Sequence, residues 1–260
     1  MVLTRATLKL KITLRKLSNM GITRHIPNTI TSLNLLSGCF ATVYALNGNF
    51  KCAFLFIIAG AVFDFCDGLA ARALKAYSPM GKELDSLADM VTFGVAPAMI
   101  LYRFQAESGF LIYLPLLIAV FSGLRLAKFN IDTRQSENFI GLATPSCALI
   151  CGSLIYAAET YQQLAGFLTA YSYIVPMLAL VLCYLLVCEI PMFSFKFKSL
   201  KWKDNQARFT FLGLVAILGI AILAAGLNWS LLVLAIFISY ILVNIITGII
   251  CRLSPKPGKC

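Results

Sequence analysis

Asp64, Asp67, Asp85 and Asp89 lie at the edges of two long apolar runs. The chain has eleven acidic residues, so more than a third of them fall within this one 26-residue stretch. A carboxylate at membrane depth costs about 3 kcal/mol or more unless it meets a cation, a metal or water. Asp64 and Asp67 are three residues apart and Asp85 and Asp89 four apart, so on helices each pair shares one face. A short turn between the two runs would make the helices antiparallel neighbours and bring the faces together as a four-carboxylate cage. Hard oxygen donors of this kind suit magnesium, manganese or calcium rather than zinc or copper. Four carboxylates are too much negative charge for one small ion, so two divalent ions with a phosphate-bearing substrate balance the site better.

The residues around the aspartates fit the same chemistry. Gly68 and Ala71 are small and let a ligand or a helix approach the backbone. Arg72 stands where a guanidinium can clamp a phosphate bidentately. Gly81 opens the next helix, whose N-terminus favours anions. Together these describe a pyrophosphate site at the membrane surface. The bland alternative is a set of interfacial salt bridges from the aspartates to Arg72, Lys75 and Lys82.

The elements that must position these groups are transmembrane helices. The 260 residues are 60% hydrophobic and 13% charged, about half the charged fraction of a soluble domain. Eight apolar runs approach the roughly 20 residues that a bilayer core requires: 29–47, 52–73, 84–102, 110–127, 143–160, 169–190, 209–227 and 229–251. The fifth is interrupted by Thr144, Pro145, Ser146 and Ser153. Pro176 is expected to kink the sixth, and little more than Asn228 separates the last two, which predicts a tight hairpin. With the N-terminus in the cytoplasm, 20 of the 22 Lys and Arg fall on the cytoplasmic side, leaving Lys51 and Arg103 outside. That alternation supports both the count and the orientation. The net charge of +11 then reports positive-inside bias and anionic lipid rather than nucleic acid.

Residues 1–24 are read as a basic amphipathic segment on the cytoplasmic surface rather than a signal peptide. The nine cysteines form no C-x-x-C pair and are read as reduced core residues, Cys147 and Cys151 among them. His25 has no second histidine nearby and is read as solvated. The basic run from Lys196 to Arg208, with Phe195, Phe197 and Trp202, is expected to lie on anionic lipid.

From Asp64 the order is Asp, two residues, Asp67-Gly68, two residues, Ala71-Arg72, eight residues, Gly81, three residues, Asp85, three residues, Asp89. This order resembles the signature of the CDP-alcohol phosphatidyltransferase family, with all eight positions matched. Ile26-Pro27-Asn28, Thr31, Asn34 and Gly38 are similar to the phosphatidylserine synthase branch of that family. So are Lys82 to Asp89 running on to Thr92-Phe93-Gly94-Val95-Ala96-Pro97, and Leu124 to Asn130. Lys128 stands where that branch has arginine, and Ala143 where it has proline. The resemblance covers roughly residues 22–190.

It implies an all-α polytopic fold with a six-helix core and about two added C-terminal helices. The divisions are an interfacial segment 1–24, a catalytic core 25–190, a basic loop 191–208, a C-terminal hairpin 209–251 and a tail 252–260. It also implies transfer of a phosphatidyl group from CDP-diacylglycerol to L-serine with release of CMP. Sister enzymes take glycerol 3-phosphate or an inositol phosphate instead, acceptors that call for a denser basic pocket. Asp64, Asp67, Asp85 and Asp89 would hold two magnesium or manganese ions, with Asp89 also the general base. Asn28, Thr31, Asn34, Gly68, Ala71, Arg72 and Gly81 would bind CDP-diacylglycerol, and Arg125, Lys128 and Asn130 would meet serine. The family implies a homodimer, and a bacterial-type inner membrane with both termini and the active site facing the cytoplasm. A cation or proton transporter is the alternative from another class, but it calls for acids near the midplane and broken helices in paired repeats.

Overall fold

The computed structural model describes residues 25–105, 109–132, 139–192 and 206–253. The expectations for segment 1–24, for nearly all of the basic loop and for the end of the tail lie outside the described residues.

The chain is an all-α bundle of apolar helices. Helix α1 spans His25–Leu46 and α2 spans Phe50–Leu74, capped by the Asn49 side chain, which accepts the Cys52 amide. Helix α2 stops at Lys75, a left-handed residue at φ 52° whose N–H returns to the last turn of the helix. Ser78 then caps α3 (Pro79–Asp89), accepting the Gly81 amide at 2.9 Å, and Pro79 occupies the first turn. A left-handed stop, a serine cap and an N-terminal proline are three local signals that turn the chain within a few residues. They build the antiparallel α2–α3 hairpin that the aspartates require.

Helix α3 runs through a π-helical turn, Met90–Val95, into α4 (Ala96–Phe104), so one continuous span covers Pro79–Phe104. A 3-10 segment, Gly109–Leu116, leads into α5 (Leu117–Ile131). Helices α6 (Thr144–Thr160), α7 (Gln162–Ala170) and α8 (Ile174–Val187) follow, and then α9 (Gln206–Ala224) and α10 (Trp229–Leu253). The two-residue strands β1 (Phe139–Ile140) and β2 (Pro191–Met192) pair antiparallel and tie the approach to α6 to the exit of α8. Gly141 is needed there at φ 77°, because a Cβ would lie 2.9 Å from the carbonyl oxygens of both Leu186 and Cys188.

All eight expected runs are helical, but their lengths and shapes differ. Among the described residues, five helices are long and apolar enough by themselves to cross a membrane. The expected sixth run, 169–190, holds α8 and only the last two residues of α7, and these two helices are bent by 86° at the break between them. The break falls at Tyr171–Tyr173, before Pro176, which sits in the first turn of α8. Proline is tolerated there because that turn's amide has no helical partner to lose.

Helix α6, the fifth run, is only 17 residues long and buries twelve of them. Thr144 and Ser153 are fully enclosed, so these two polar side chains face protein rather than lipid. The α9–α10 hairpin turns at Gly226 (φ 63°) and is fastened to α6 through Asn228. Its amide donates to the Tyr161 hydroxyl at 2.7 Å and its side chain to the Tyr156 hydroxyl at 3.3 Å.

The outward faces carry exposed Val62, Phe65, Ile217, Ile220 and Leu223, an apolar girdle that a bilayer must cover. Cysteines 147, 151, 183 and 188 are buried free thiols. His25 is exposed.

Phe54 of α2 lies against Gly152 of α6, so closely that a Cβ on Gly152 would overlap its ring. Gly152→Val should therefore lower the melting temperature in detergent by several degrees, an overpacking cost of about 1–3 kcal/mol. An unchanged melting curve would show that α2 and α6 do not meet at this position.

Candidate active site

The hairpin brings Asp64, Asp67 and Asp85 together, with one carboxylate oxygen from each within 4.8 Å of the others. Asp89 stands apart from this trio. It lies four residues deeper along α3, about 6 Å by helical rise, and accepts a hydrogen bond from Asn34 Nδ2 at 3.1 Å. It still interacts electrostatically with Asp64 and Asp85. Of the four carboxylates expected to form a cage, three converge and Asp89 lies beside them.

Helix α1 supports both parts. Thr31 Oγ1 lies 2.5 Å from Asp67 Oδ2, which takes its proton as a hydrogen bond, and Asn34 holds Asp89. Asp85 Oδ1 is buried and accepts no hydrogen bond among the described residues. Among those residues no lysine or arginine pairs with any of the four aspartates, and the ion pair present joins Lys128 to Glu189. The salt-bridge alternative is therefore not what the geometry contains. Converging, cation-free carboxylates with a buried open oxygen fit a hard divalent ion.

A cleft of about 230 Å³ opens beside the trio. Asn28, Thr31, Asp67, Gly68, Ala71, Gly81 and Asp85 line it, so it gathers most of the residues that the spacing singled out. Gly81 earns its place sterically, since a Cβ there would lie 2.8 Å from Asn28 Oδ1. Arg72 is exposed and is not among the residues that line the cleft, although its guanidinium passes 4.0 Å from where a Cβ on Gly68 would be. Tyr77, Ser78 and Lys82 also line it and were not among the residues expected to bind the ligand. Their signal was the turn itself, since a loop that closes this hairpin must form the cleft's rim.

The three residues expected to meet an acceptor separate. Arg125 is buried on α5, and its Nε has no hydrogen-bond partner among the described residues. Its guanidinium lies 5.9 Å from the Phe129 ring centroid and interacts electrostatically with Asp89. Lys128 instead bonds Glu189 at 3.4 Å. Asn130 donates to Ser86 Oγ at 2.8 Å, and its carbonyl accepts from Lys82 Nζ at 3.0 Å. These last contacts bind the end of α5 to α3. Tyr240 of α10 is buried and also interacts electrostatically with Arg125, which no local pattern announced.

The model of the CDP-alcohol phosphatidyltransferase family matches residues 24–185. A CDP-diacylglycerol–serine O-phosphatidyltransferase of Bacillus subtilis is 40% identical over 144 residues, 54% of this chain and 78% of that protein. The enzyme of the same name from Mycobacterium tuberculosis is 34% identical over 225 residues, 83% of this chain and 75% of that one. A Helicobacter pylori counterpart is 34% identical over 144 residues, and there the match spans 61% of its length.

Titrating the purified protein with manganese should raise its melting temperature. Occupancy at a hundredfold excess over Kd contributes about 2.7 kcal/mol. Asp85→Asn should remove most of that rise, and an undiminished shift in this variant would reject a metal site built on the trio.

Proposed function

The chain belongs to the CDP-alcohol phosphatidyltransferase family, and we propose that it transfers the phosphatidyl group of CDP-diacylglycerol to the hydroxyl of L-serine, releasing CMP. The observation that carries the proposal is the cleft itself. Signature residues Gly68, Ala71 and Gly81 line it together with Asn28 and Thr31, and it borders three carboxylates that converge within 4.8 Å. The names of the similar proteins support serine as acceptor.

In this reading Asp64, Asp67 and Asp85 hold two magnesium or manganese ions, with Asp89 closing the set. When bound, the ions neutralise the donor's pyrophosphate and the charge that develops on departing CMP. Asn28, Thr31 and Gly81 receive the nucleotide, and Arg72 clamps its phosphate from the rim. Asn34 orients Asp89, which takes the proton of the serine hydroxyl as its oxygen attacks the β-phosphorus and the bond to CMP breaks. A carboxylate is a weak base, so its placement beside the bound hydroxyl matters more than its proton affinity. Arg125 receives the serine carboxylate, and a buried guanidinium with an unpartnered Nε suits that task. Lys128 and Asn130 serve by holding α5 to α8 and α3.

The site faces the cytoplasm of a bacterial-type inner membrane, consistent with the distribution of Lys and Arg. The active form is a homodimer, as the family resemblance implies. The catalytic core is 25–190, with the C-terminal hairpin 209–251 added to it.

The test is CMP release by purified protein given CDP-diacylglycerol, manganese or magnesium, and either labelled serine or glycerol 3-phosphate. Turnover with serine, abolished by a chelator, is the expected result. Release of CMP with glycerol 3-phosphate alone would reject the acceptor and keep the family. Arg125→Ala should raise KM for serine about tenfold or more while leaving that for the donor near its starting value. Asp89→Asn should lower kcat by about two to four orders of magnitude.

A further inference from the structure

We propose that Thr92 is a positioning residue for Asp89, acting through Asn34, and that the π-helical turn just after Asp89 sets it in place. The inference rests on the reading of Asp89 as the base. Thr92 is wholly buried and lies inside the turn Met90–Val95. Its hydroxyl donates to the main-chain carbonyl of Asn34 at 2.9 Å. Asn34 is itself wholly buried and turns its side-chain amide to Asp89 Oδ1 at 3.1 Å. The chain of contacts therefore runs from α3's extension across to α1 and back to the carboxylate.

Two features make Thr92 decisive within that chain. First, Asn34 Oδ1 accepts no hydrogen bond among the described residues, so no second bond fixes which end of the amide faces Asp89. An amide turned end for end would present oxygen to a carboxylate and repel it. What holds the donor end toward Asp89 is the pinned backbone and the packing around the side chain. Asn34 Oδ1 sits 2.9 Å from where a Cβ on Gly60 would be.

Second, room for Thr92 is made on both sides. A Cβ on Gly38 would lie 2.8 Å from the Thr92 Cα, and a Cβ on Gly60 would overlap its methyl group. Glycines on α1 and α2 thus open a slot at a three-helix junction, and the wider π turn fills it. Such turns are rare and recur at functional sites. With Oδ1 of Asp89 held by Asn34, Oδ2 is the oxygen that would take the acceptor's proton.

The test compares Thr92→Val, which keeps the shape and loses the donor, with Thr92→Ser, which keeps the donor. Both are read by steady-state kinetics and by the manganese-dependent thermal shift in detergent. Thr92→Val should lower kcat about tenfold, leave KM for serine and CDP-diacylglycerol near wild type, and raise the manganese concentration for half of the thermal shift. Thr92→Ser should restore all three. Wild-type kcat in Thr92→Val, or a loss that Thr92→Ser does not rescue, overturns the proposal. If Thr92→Val does not accumulate as folded protein, Thr92→Ala is read against Thr92→Ser in the same way. Asp89→Asn separates the two readings. An inactive Asp89→Asn beside a wild-type Thr92→Val sinks this inference alone, whereas a fully active Asp89→Asn sinks the reading of the base.

Discussion

Like charges in an apolar bundle repel one another and lose their hydration, and three carboxylates within 4.8 Å face both penalties at once. At an effective dielectric constant near 20 each pair costs on the order of 3 to 4 kcal/mol. Either a cation offsets that cost or the framework must be stiff enough to hold the groups together. The α2–α3 hairpin is built for the second task. Its turn combines a left-handed residue at Lys75, the Ser78 cap and Pro79 in the first turn, which leaves the chain little freedom where the aspartates must face one another. Mutual repulsion also explains why the neighbouring groups donate protons rather than accept them. Thr31 and Asn34 both point hydrogens at carboxylate oxygens.

The other helices can be understood as what surrounds this hairpin. Helix α1 lies against it through small residues, Gly38 and Gly81 being places where a single methyl group would push elements apart. Helix α5 is tied to α3 by Asn130 and Lys82 and presents Arg125 from the opposite side. Helix α6 is enclosed by its neighbours and serves as the post on which α2, α4 and α10 rest. Through α6 the C-terminal hairpin, which lies beyond the residues that match the family, reaches the centre of the molecule. Tyr240 of this hairpin interacts electrostatically with Arg125.

Much of this was legible from spacing. The three- and four-residue intervals of the aspartates are the helical period, and the glycines and arginine at fixed offsets specified the kind of ligand. Each of the eight apolar runs falls on helix, although α7 lies almost wholly between two of them. Their ends and bends were less legible, because length and hydropathy do not distinguish a helix that faces lipid from one enclosed by protein. Helix α6 looked weak for its Thr and Ser residues, yet it is the most enclosed helix. Pro176 looked like the kink, yet the chain breaks before it. The resemblance put Arg125, Lys128 and Asn130 at one acceptor, but five residues on a helix turn Asn130 about 140° away from Arg125. Arg125 is buried, Lys128 bonds Glu189 and Asn130 bonds Ser86.

The sequence by itself determined the class of molecule, the hairpin and the chemistry of its acidic faces, because hydropathy, helical period and turn residues act over a few neighbours. It took the tertiary structure to decide which groups share one site. Asp89 leaves the trio for Asn34, a residue 55 positions away. Thr92 reaches across 58 positions to the backbone of the same asparagine. Tyr240 comes to Arg125 from a helix more than a hundred residues later. Contacts of that kind depend on how helices pack, through slots one methyl group wide, and no local interval in the chain encodes them.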